Sequence, residues 1–187
     1  ITLYGIKFYG IPWCPHLPYE IETTNSDELI DYEFYLTRKS IENKWKLIPK
    51  DVNYLITHTP PFGILDANDY GCTDLLAYIC NNLKELKVHQ FGHCHGGYGW
   101  CMVEKSEFIK NNSDNNANKR VIQYKKMDEI SNKIKNNNIN IFNDCTLFVN
   151  AANASNIDMN SKIPPDKDDA FEEPVYFELP IINNDNE

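Results

Sequence analysis

The sequence contains no apolar run long enough to cross a membrane and no cysteine pair spaced as Cys-x-x-Cys. Positive charge is scarce, because 18 Lys and Arg residues stand against 27 Asp and Glu residues, for a formal net charge of -9. Because no apolar run is long enough, we do not expect membrane insertion. An acidic chain repels phosphate polymers, so we do not expect non-specific nucleic-acid binding either. A phosphorylated small molecule would need a local positive centre, and bound metal ions are one way to supply it.

The cysteines are too irregularly spaced for a disulfide framework. All six lie far apart, at positions 14, 72, 80, 94, 101 and 145. Small secreted domains need disulfides because their cores are small, whereas a chain of 187 residues that is 42% hydrophobic can bury a sizeable core. The sequence therefore predicts reduced thiols and a cytoplasmic setting.

Strand-like and helix-like patterns are mixed along the chain, which favours a layered α/β fold. The predicted strands lie at residues 1–13 (a hairpin that turns at Gly5), 52–57, 87–91, 146–151 and 174–179, and the predicted helices lie at 26–45 and 73–86. Residues 14–24 contain two prolines and are predicted to form a loop. Residues from about 105 to 143 contain asparagine tracts and are predicted to form a solvated surface insertion.

Histidines follow two of the predicted strands at the point where each strand ends. His58 follows the strand at 52–57, and His93 and His95 lie in a glycine-rich turn after the strand at 87–91. Ligands of α/β sheets gather at the carboxyl ends of the strands, and neutral imidazole is a common metal ligand. The pattern predicts a metal centre, and hydrogen-bonded core histidines are the alternative.

Other polar residues near these segments have structural and functional interpretations. His89 lies within a predicted strand, which favours a packed or hydrogen-bonded imidazole, and His16 lies in the proline loop, which favours exposure. Cys94 could complete a zinc site, but we expect it to point away while its neighbours converge. Asp66 and Asp69 could accept hydrogen bonds behind a metal ligand, although the solvated-turn interpretation is favoured for each.

Two segments resemble conserved blocks of the calcineurin-like metallophosphoesterases. Residues 55–63 (LITHTPPFG) resemble the fourth block, and residues 91–99 (FGHCHGGYG) resemble the fifth, the Gly-His-x-His block. Further segments resemble the metallophosphoesterase domain-containing proteins within that superfamily: 9–13 (YGIPW), 45–49 (WKLIP), 71–76 (GCTDLL), 148–151 (FVNA) and 177–180 (FELP). The resemblance implies that residues 1–187 form the C-terminal half of a four-layer α/β/β/α sandwich with an Asn-rich insertion.

The resemblance also implies roles for particular residues. His58 and His93 would bind the second of two divalent ions (Mn, Fe, Zn or Mg), and His95 would bind the first. Such a site hydrolyses a phosphoester, possible substrates being phosphodiesters and cyclic nucleotides. Tyr98 and Asn150 are expected to line the substrate pocket.

The first three blocks of that superfamily are absent from this sequence. They are Asp-x-His, Gly-Asp-x-x-Asp and Gly-Asn-His-Asp/Glu, and they supply the remaining metal ligands and the general acid. The chain begins with Ile1 rather than Met. We therefore expect the N-terminal half on a longer precursor or a companion chain, and little activity from this chain alone. The alternative is a non-catalytic phosphoesterase-like scaffold or subunit of a larger assembly.

Overall fold

The computed structural model describes residues 1–15, 34–67, 70–106 and 141–152. The strands in these residues are β1 (Thr2–Leu3), β2 (Ile6–Ile11), β3 (Cys14–Pro15), β4 (Tyr35–Leu36), β5 (Tyr54–Thr57), β6 (Val88–Phe91), β7 (Gly99–Glu104) and β8 (Cys145–Asn150). The helices are α1 (Arg38–Trp45), α2 (Thr73–Asn82) and α3 (Ile141–Asp144), with a 3₁₀ turn at His95–Gly97.

Six of these strands form one sheet in the order β1-β2-β5-β6-β8-β7. The four inner strands are parallel, and the described strand at each edge is antiparallel to its neighbour. Parallel strands place their carboxyl ends at one edge of a sheet, so β5, β6 and β8 all end on the same side. This mixed sheet with its helices confirms the α/β class that the sequence predicts.

The hairpin at the start of the chain is confirmed. Strand β1 pairs antiparallel with β2, with Leu3 opposite Ile6. The two residues between them, Tyr4 and Gly5, have φ values of 50° and 76°. Positive φ at both central residues matches the right-handed twist of the strands that a two-residue turn joins.

The predicted helix at 26–45 is wrong in its first described part. Phe34 has a φ of 73°, and the next two residues form β4, which pairs in parallel with β3. The helix begins only at Arg38, after the extended residue Thr37. The pairing with β3, within a segment predicted to be loop, fixes an extended backbone that residue spacing alone does not reveal.

The predicted strands at 52–57, 87–91 and 146–151 and the helix at 73–86 are confirmed, each with ends that differ by a few residues. Strand β7 was not predicted from the sequence, because its β-prone run follows the glycine-rich turn with no boundary that a sequence pattern marks. The predicted strand at 174–179 and nearly all of the predicted insertion lie outside the described residues.

The main core lies between one face of the sheet and helices α1 and α2. Its fully buried side chains come from the helices and from the strands facing them: Ile41, Trp45, Leu55, Leu75, Leu76, Ile79 and Phe148. Each such side chain contributes about 1.5–3 kcal/mol relative to an exposed position. This packing makes the inner strands a rigid support for the loops at their carboxyl ends. No helix in the described part of the chain is long and apolar enough to span a bilayer.

Candidate metal centre

The carboxyl ends of three neighbouring strands carry the candidate site. His58 directly follows β5, and the Gly92–His93 pair directly follows β6. The amide of Gly92 donates a hydrogen bond of 3.1 Å to the carbonyl of His58, and the amide of Ala151 donates one of 2.7 Å to the carbonyl of Phe91. These bonds extend the strand pairing past the last residue of each strand, so the loops leave the sheet edge together.

The imidazoles of His58 and His93 face each other at this edge. Their ring centroids lie 4.8 Å apart with an angle of 61° between the ring planes. His93 has a φ of 67°, a left-handed conformation that is uncommon for a residue other than glycine and concentrates at functional sites. The reversal of the chain there is closed by a 2.8 Å hydrogen bond from the amide of Cys94 to the carbonyl of Gly92.

The electrostatics around His93 favour its neutral imidazole. Partial burial lowers the pKa of His93, and the positive charges that His58 and His95 can carry lower that pKa further. The three imidazoles are therefore close enough to influence one another, although His58 and His95 are exposed. Only the neutral ring offers a lone pair to a metal ion, so this environment keeps His93 in its ligand form at neutral pH.

The three histidines do not make a complete metal site by themselves. Within the described residues, no group of three or more His, Cys, Asp or Glu side chains is arranged to hold an ion. The rings of His58 and His93 are in contact, whereas His95 begins the 3₁₀ turn two residues after His93. The assignment of all three histidines as metal ligands stays a prediction.

Cys94 lies between the two histidines of the turn and is buried. Burial raises the pKa of its thiol to about 12, with smaller contributions from Asp66 and Cys14. A metal ligand must be the thiolate, which burial disfavours here. The expectation that Cys94 points away from a metal centre stays a prediction. All six cysteines are free thiols, as the sequence predicts.

Asp66 has a structural position that the sequence interpretation missed. The favoured solvated-turn interpretation is wrong, because Asp66 is only 6% exposed. Its Oδ2 atom accepts hydrogen bonds from the amides of Gly63 (2.7 Å) and Gly71 (3.1 Å). The carboxylate thereby closes the loop that follows the Pro60–Pro61 pair. Asp69 and His16 lie outside the described residues.

Asn150 connects the loops of the site through its amide group. It is fully buried, and its Nδ2 atom donates to the carbonyls of Leu65 (2.8 Å) and Cys94 (2.7 Å). Its Oδ1 atom accepts a 2.9 Å hydrogen bond from the amide of Ala152. Both amide hydrogens are thus used inside the protein. The sequence assigned Asn150 to substrate binding, which stays a prediction; the structure shows it bracing two loops.

Tyr98 follows the 3₁₀ turn and is partly buried. Its amide donates a 3.1 Å hydrogen bond to the carbonyl of His95. The backbone of Tyr98 is thereby attached to the same turn as a candidate ligand, and its assignment to substrate binding also stays a prediction. Cys14 is a neighbour that sequence reasoning missed: its Sγ atom lies 4.0 Å from Nε2 of His93, across 79 residues of sequence.

Replacing Gly97 with alanine is expected to destabilise the turn that carries His95. A Cβ atom at Gly97 would lie 2.0 Å from the carbonyl oxygen of Leu65, a backbone atom that cannot rotate away. Overpacking of this kind costs about 1–3 kcal/mol. Urea denaturation should show the loss, and Gly92→Ala is the matched control because a Cβ there meets nothing within 4 Å. Equal stability of the two variants would contradict this packing.

Comparison with known proteins gives relatives over part of the chain. No protein-family model matches the chain. It is 36% identical over 114 residues to UPF0046 protein T07D4.2 of Caenorhabditis elegans, a match that covers 58% of this chain and 26% of that protein. It is 35% identical over 105 residues to Metallophosphoesterase domain-containing protein 1 of Homo sapiens, covering 53% of this chain and 28% of that protein.

A shorter match has a different name. Over 55 residues the chain is 44% identical to Probable rhamnogalacturonate lyase C of Emericella nidulans, which is 29% of this chain but only 5% of that protein. Because the match covers only 5% of that protein, its name does not tell which activity the matching segment has. The longer matches span 26% and 28% of their relatives' lengths. Over about half of its length, the chain is similar in sequence to a metallophosphoesterase domain-containing protein.

Proposed function

We propose that this chain supplies part of a dinuclear metal site that hydrolyses a phosphoester, either a phosphodiester or a cyclic nucleotide. The observation that carries the proposal is the facing pair of His58 and His93, with ring centroids 4.8 Å apart at the ends of adjacent parallel strands. Both residues lie in the segments that resemble metallophosphoesterase blocks. The name of the human relative, Metallophosphoesterase domain-containing protein 1, supports the same class.

The charge of the chain fits a reaction that depends on cations. A net charge of -9 repels a phosphoester, so cations at the site would have to offset that repulsion. Divalent ions, when bound, stabilise the charge that develops on phosphoryl oxygens. The contribution of this chain is to present the neutral imidazole of His93, since burial and its neighbours lower the pKa of that ring. The rigid core behind β5 and β6 keeps the rings of His58 and His93 in place.

The remaining ligands are proposed to come from an N-terminal half that packs on the second face of the sheet to complete a four-layer sandwich. That face carries apolar side chains on its paired strands, including Phe8 and Tyr54, whose rings stack 4.9 Å apart. Along the same face, Ile56 is 44% exposed and Trp100 is 40% exposed. Exposed apolar side chains in one row across a sheet suit a surface that another layer covers.

A non-catalytic scaffold is the second candidate. It is favoured by one observation, the absence of a complete ligand set among the described residues. The two candidates differ in what the whole protein would do with metal and substrate. A cytoplasmic location is part of the proposal in either case, since all six cysteines are free thiols.

The proposal is tested by assaying the full-length protein with bis(4-nitrophenyl) phosphate, with and without added Mn²⁺. We expect turnover that depends on the metal and is lost when a chelator removes it. Metal-dependent turnover of 3′,5′-cyclic nucleotides in the same assay would define the substrate class. Protein that binds Mn²⁺ but hydrolyses none of these phosphoesters supports the scaffold instead.

A further inference from the structure

His89 is a fully buried histidine that lies outside the candidate ligand set. It belongs to β6, four residues before His93, and its side chain points to the helix-covered face of the sheet between Phe91 and Phe148. Burial lowers its pKa to about 3, so the ring is neutral at physiological pH. A neutral histidine in an apolar core must place its single N–H on an acceptor, or that donor costs about 1–3 kcal/mol.

The hydrogen-bond partners of His89 fix its tautomer. Its Nε2 atom lies 2.9 Å from the hydroxyl oxygen of Thr57. The Thr57 hydroxyl lies 2.6 Å from the carbonyl oxygen of Thr59, which can only accept. The single hydroxyl proton therefore goes to Thr59, and the proton between His89 and Thr57 must belong to Nε2. Within the described residues, Nδ1 of His89 is buried without a partner, so no acceptor is available there for a proton on that nitrogen.

Two hydrogen bonds, from His89 to Thr57 and from Thr57 to Thr59, form a chain that we call the relay. The relay lies next to a candidate metal ligand, His58. Thr57 and Thr59 are the two residues that flank His58, so the hydroxyl-to-carbonyl bond closes a short turn around it. The carbonyl of His58 is held from the other side by the amide of Gly92. Because the backbone is fixed on both sides of His58, the position of its Cα–Cβ bond is fixed as well, and this bond sets where the imidazole can lie.

The geometry points to His89 as a positioning residue that orients His58 toward His93 through the hydroxyl of Thr57. This inference rests on the proposed function, because it treats His58 as a metal ligand. The alternative is a core histidine that contributes only packing volume. The two interpretations differ in which substitution of His89 is tolerated. A positioning residue must keep an N–H donor at this place, whereas a packing residue needs only a side chain of similar volume.

Four single variants of the full-length protein separate these alternatives. Thr57→Val and His89→Leu remove the hydroxyl or the ring N–H with little change in size, whereas Thr57→Ser and His89→Gln keep a hydroxyl or an N–H donor. Two measurements apply to each: the nuclear Overhauser contact between the His58 and His93 ring protons without metal, and the dissociation constant for Zn²⁺ by calorimetry. Circular dichroism establishes that each variant is folded.

We expect Thr57→Val and His89→Leu each to lose the ring-to-ring contact and to weaken Zn²⁺ binding by about tenfold or more, as for residues that orient metal ligands. Thr57→Ser and His89→Gln should keep both properties. Because the two residues act in one relay, the double variant Thr57→Val/His89→Leu should be no weaker than either single variant.

The relay is refuted if Thr57→Val and His89→Leu, when folded, keep the ring contact and the Zn²⁺ affinity of the unaltered chain. If His89→Leu does not fold, Thr57→Val alone decides. A different result bears on the proposed function: a full-length protein that binds no Zn²⁺ removes support for the metal site. The ring contact still decides the relay in that case, so the two failures are distinguishable.

Discussion

In the full-length protein, His93→Ala is expected to lower kcat/KM for Mn²⁺-dependent phosphodiester hydrolysis by at least about 10²-fold. Bound metal supplies several kcal/mol of transition-state stabilisation, and each interval of about 1.4 kcal/mol is a factor of ten in rate. Of the two rings, His93 is the more buried. Its lowered pKa keeps the imidazole neutral, which is the form that binds a metal ion. The assay should follow nitrophenol release at saturating Mn²⁺, together with the metal content of the purified variant.

The matched control is His16→Ala, the same substitution at a histidine that belongs to neither metallophosphoesterase-like segment. It should leave kcat/KM close to that of the unaltered protein. Normal turnover by His93→Ala would mean that the ring pair does not bind the catalytic metal. Equal losses in both variants would point to a general effect of removing histidine.

The second large effect is expected from Asn150→Asp, which we predict to destabilise the fold by about 3–5 kcal/mol. The change keeps the shape of the side chain but removes the two N–H bonds that Nδ2 donates to the carbonyls of Leu65 and Cys94. A carboxylate oxygen would then face those carbonyls at a fully buried position. Two acceptors would lose their donors, and a buried charge would keep only the amide of Ala152 as a partner.

Urea denaturation at neutral pH measures this loss, and Asn53→Asp provides a matched control. Asn53 also uses both ends of its amide, but it is partly exposed and donates a single 3.2 Å hydrogen bond, to Glu85. We expect this control to cost about 1 kcal/mol. If the two substitutions cost the same, the amide of Asn150 does not brace the loops. In that case its predicted role in substrate binding would become the stronger interpretation.

The sequence predicted elements whose signal is local and failed where the partner is distant. The hairpin at Gly5 and the strands β5, β6 and β8 follow from turn chemistry and short β-prone runs. The helix predicted through Phe34 failed because residues 35–36 pair with Cys14 and Pro15, about twenty residues earlier in the chain. Asp66 was misjudged for a similar reason, since the amides that it caps belong to a loop whose closure a sequence pattern does not show.

The candidate site divides in the same way. The three histidines could be selected from the sequence. His58 and His93 follow predicted strands, and His95 shares the glycine-rich turn with His93. The tautomer of His89 could not be selected, because it depends on the direction of the Thr57 hydroxyl toward Thr59. The proximity of Cys14 to His93 was also hidden, since 79 residues separate them in the chain.

The sequence by itself determined the α/β class, the free thiols, the acidic charge and the positions of the histidines at strand ends. These follow from composition and from contacts between near neighbours. Only the tertiary structure decided that the rings of His58 and His93 face each other and that Asn150 is a buried brace between two loops. Such facts depend on strand order and on hydrogen bonds between distant segments, which exist only once the sheet has assembled.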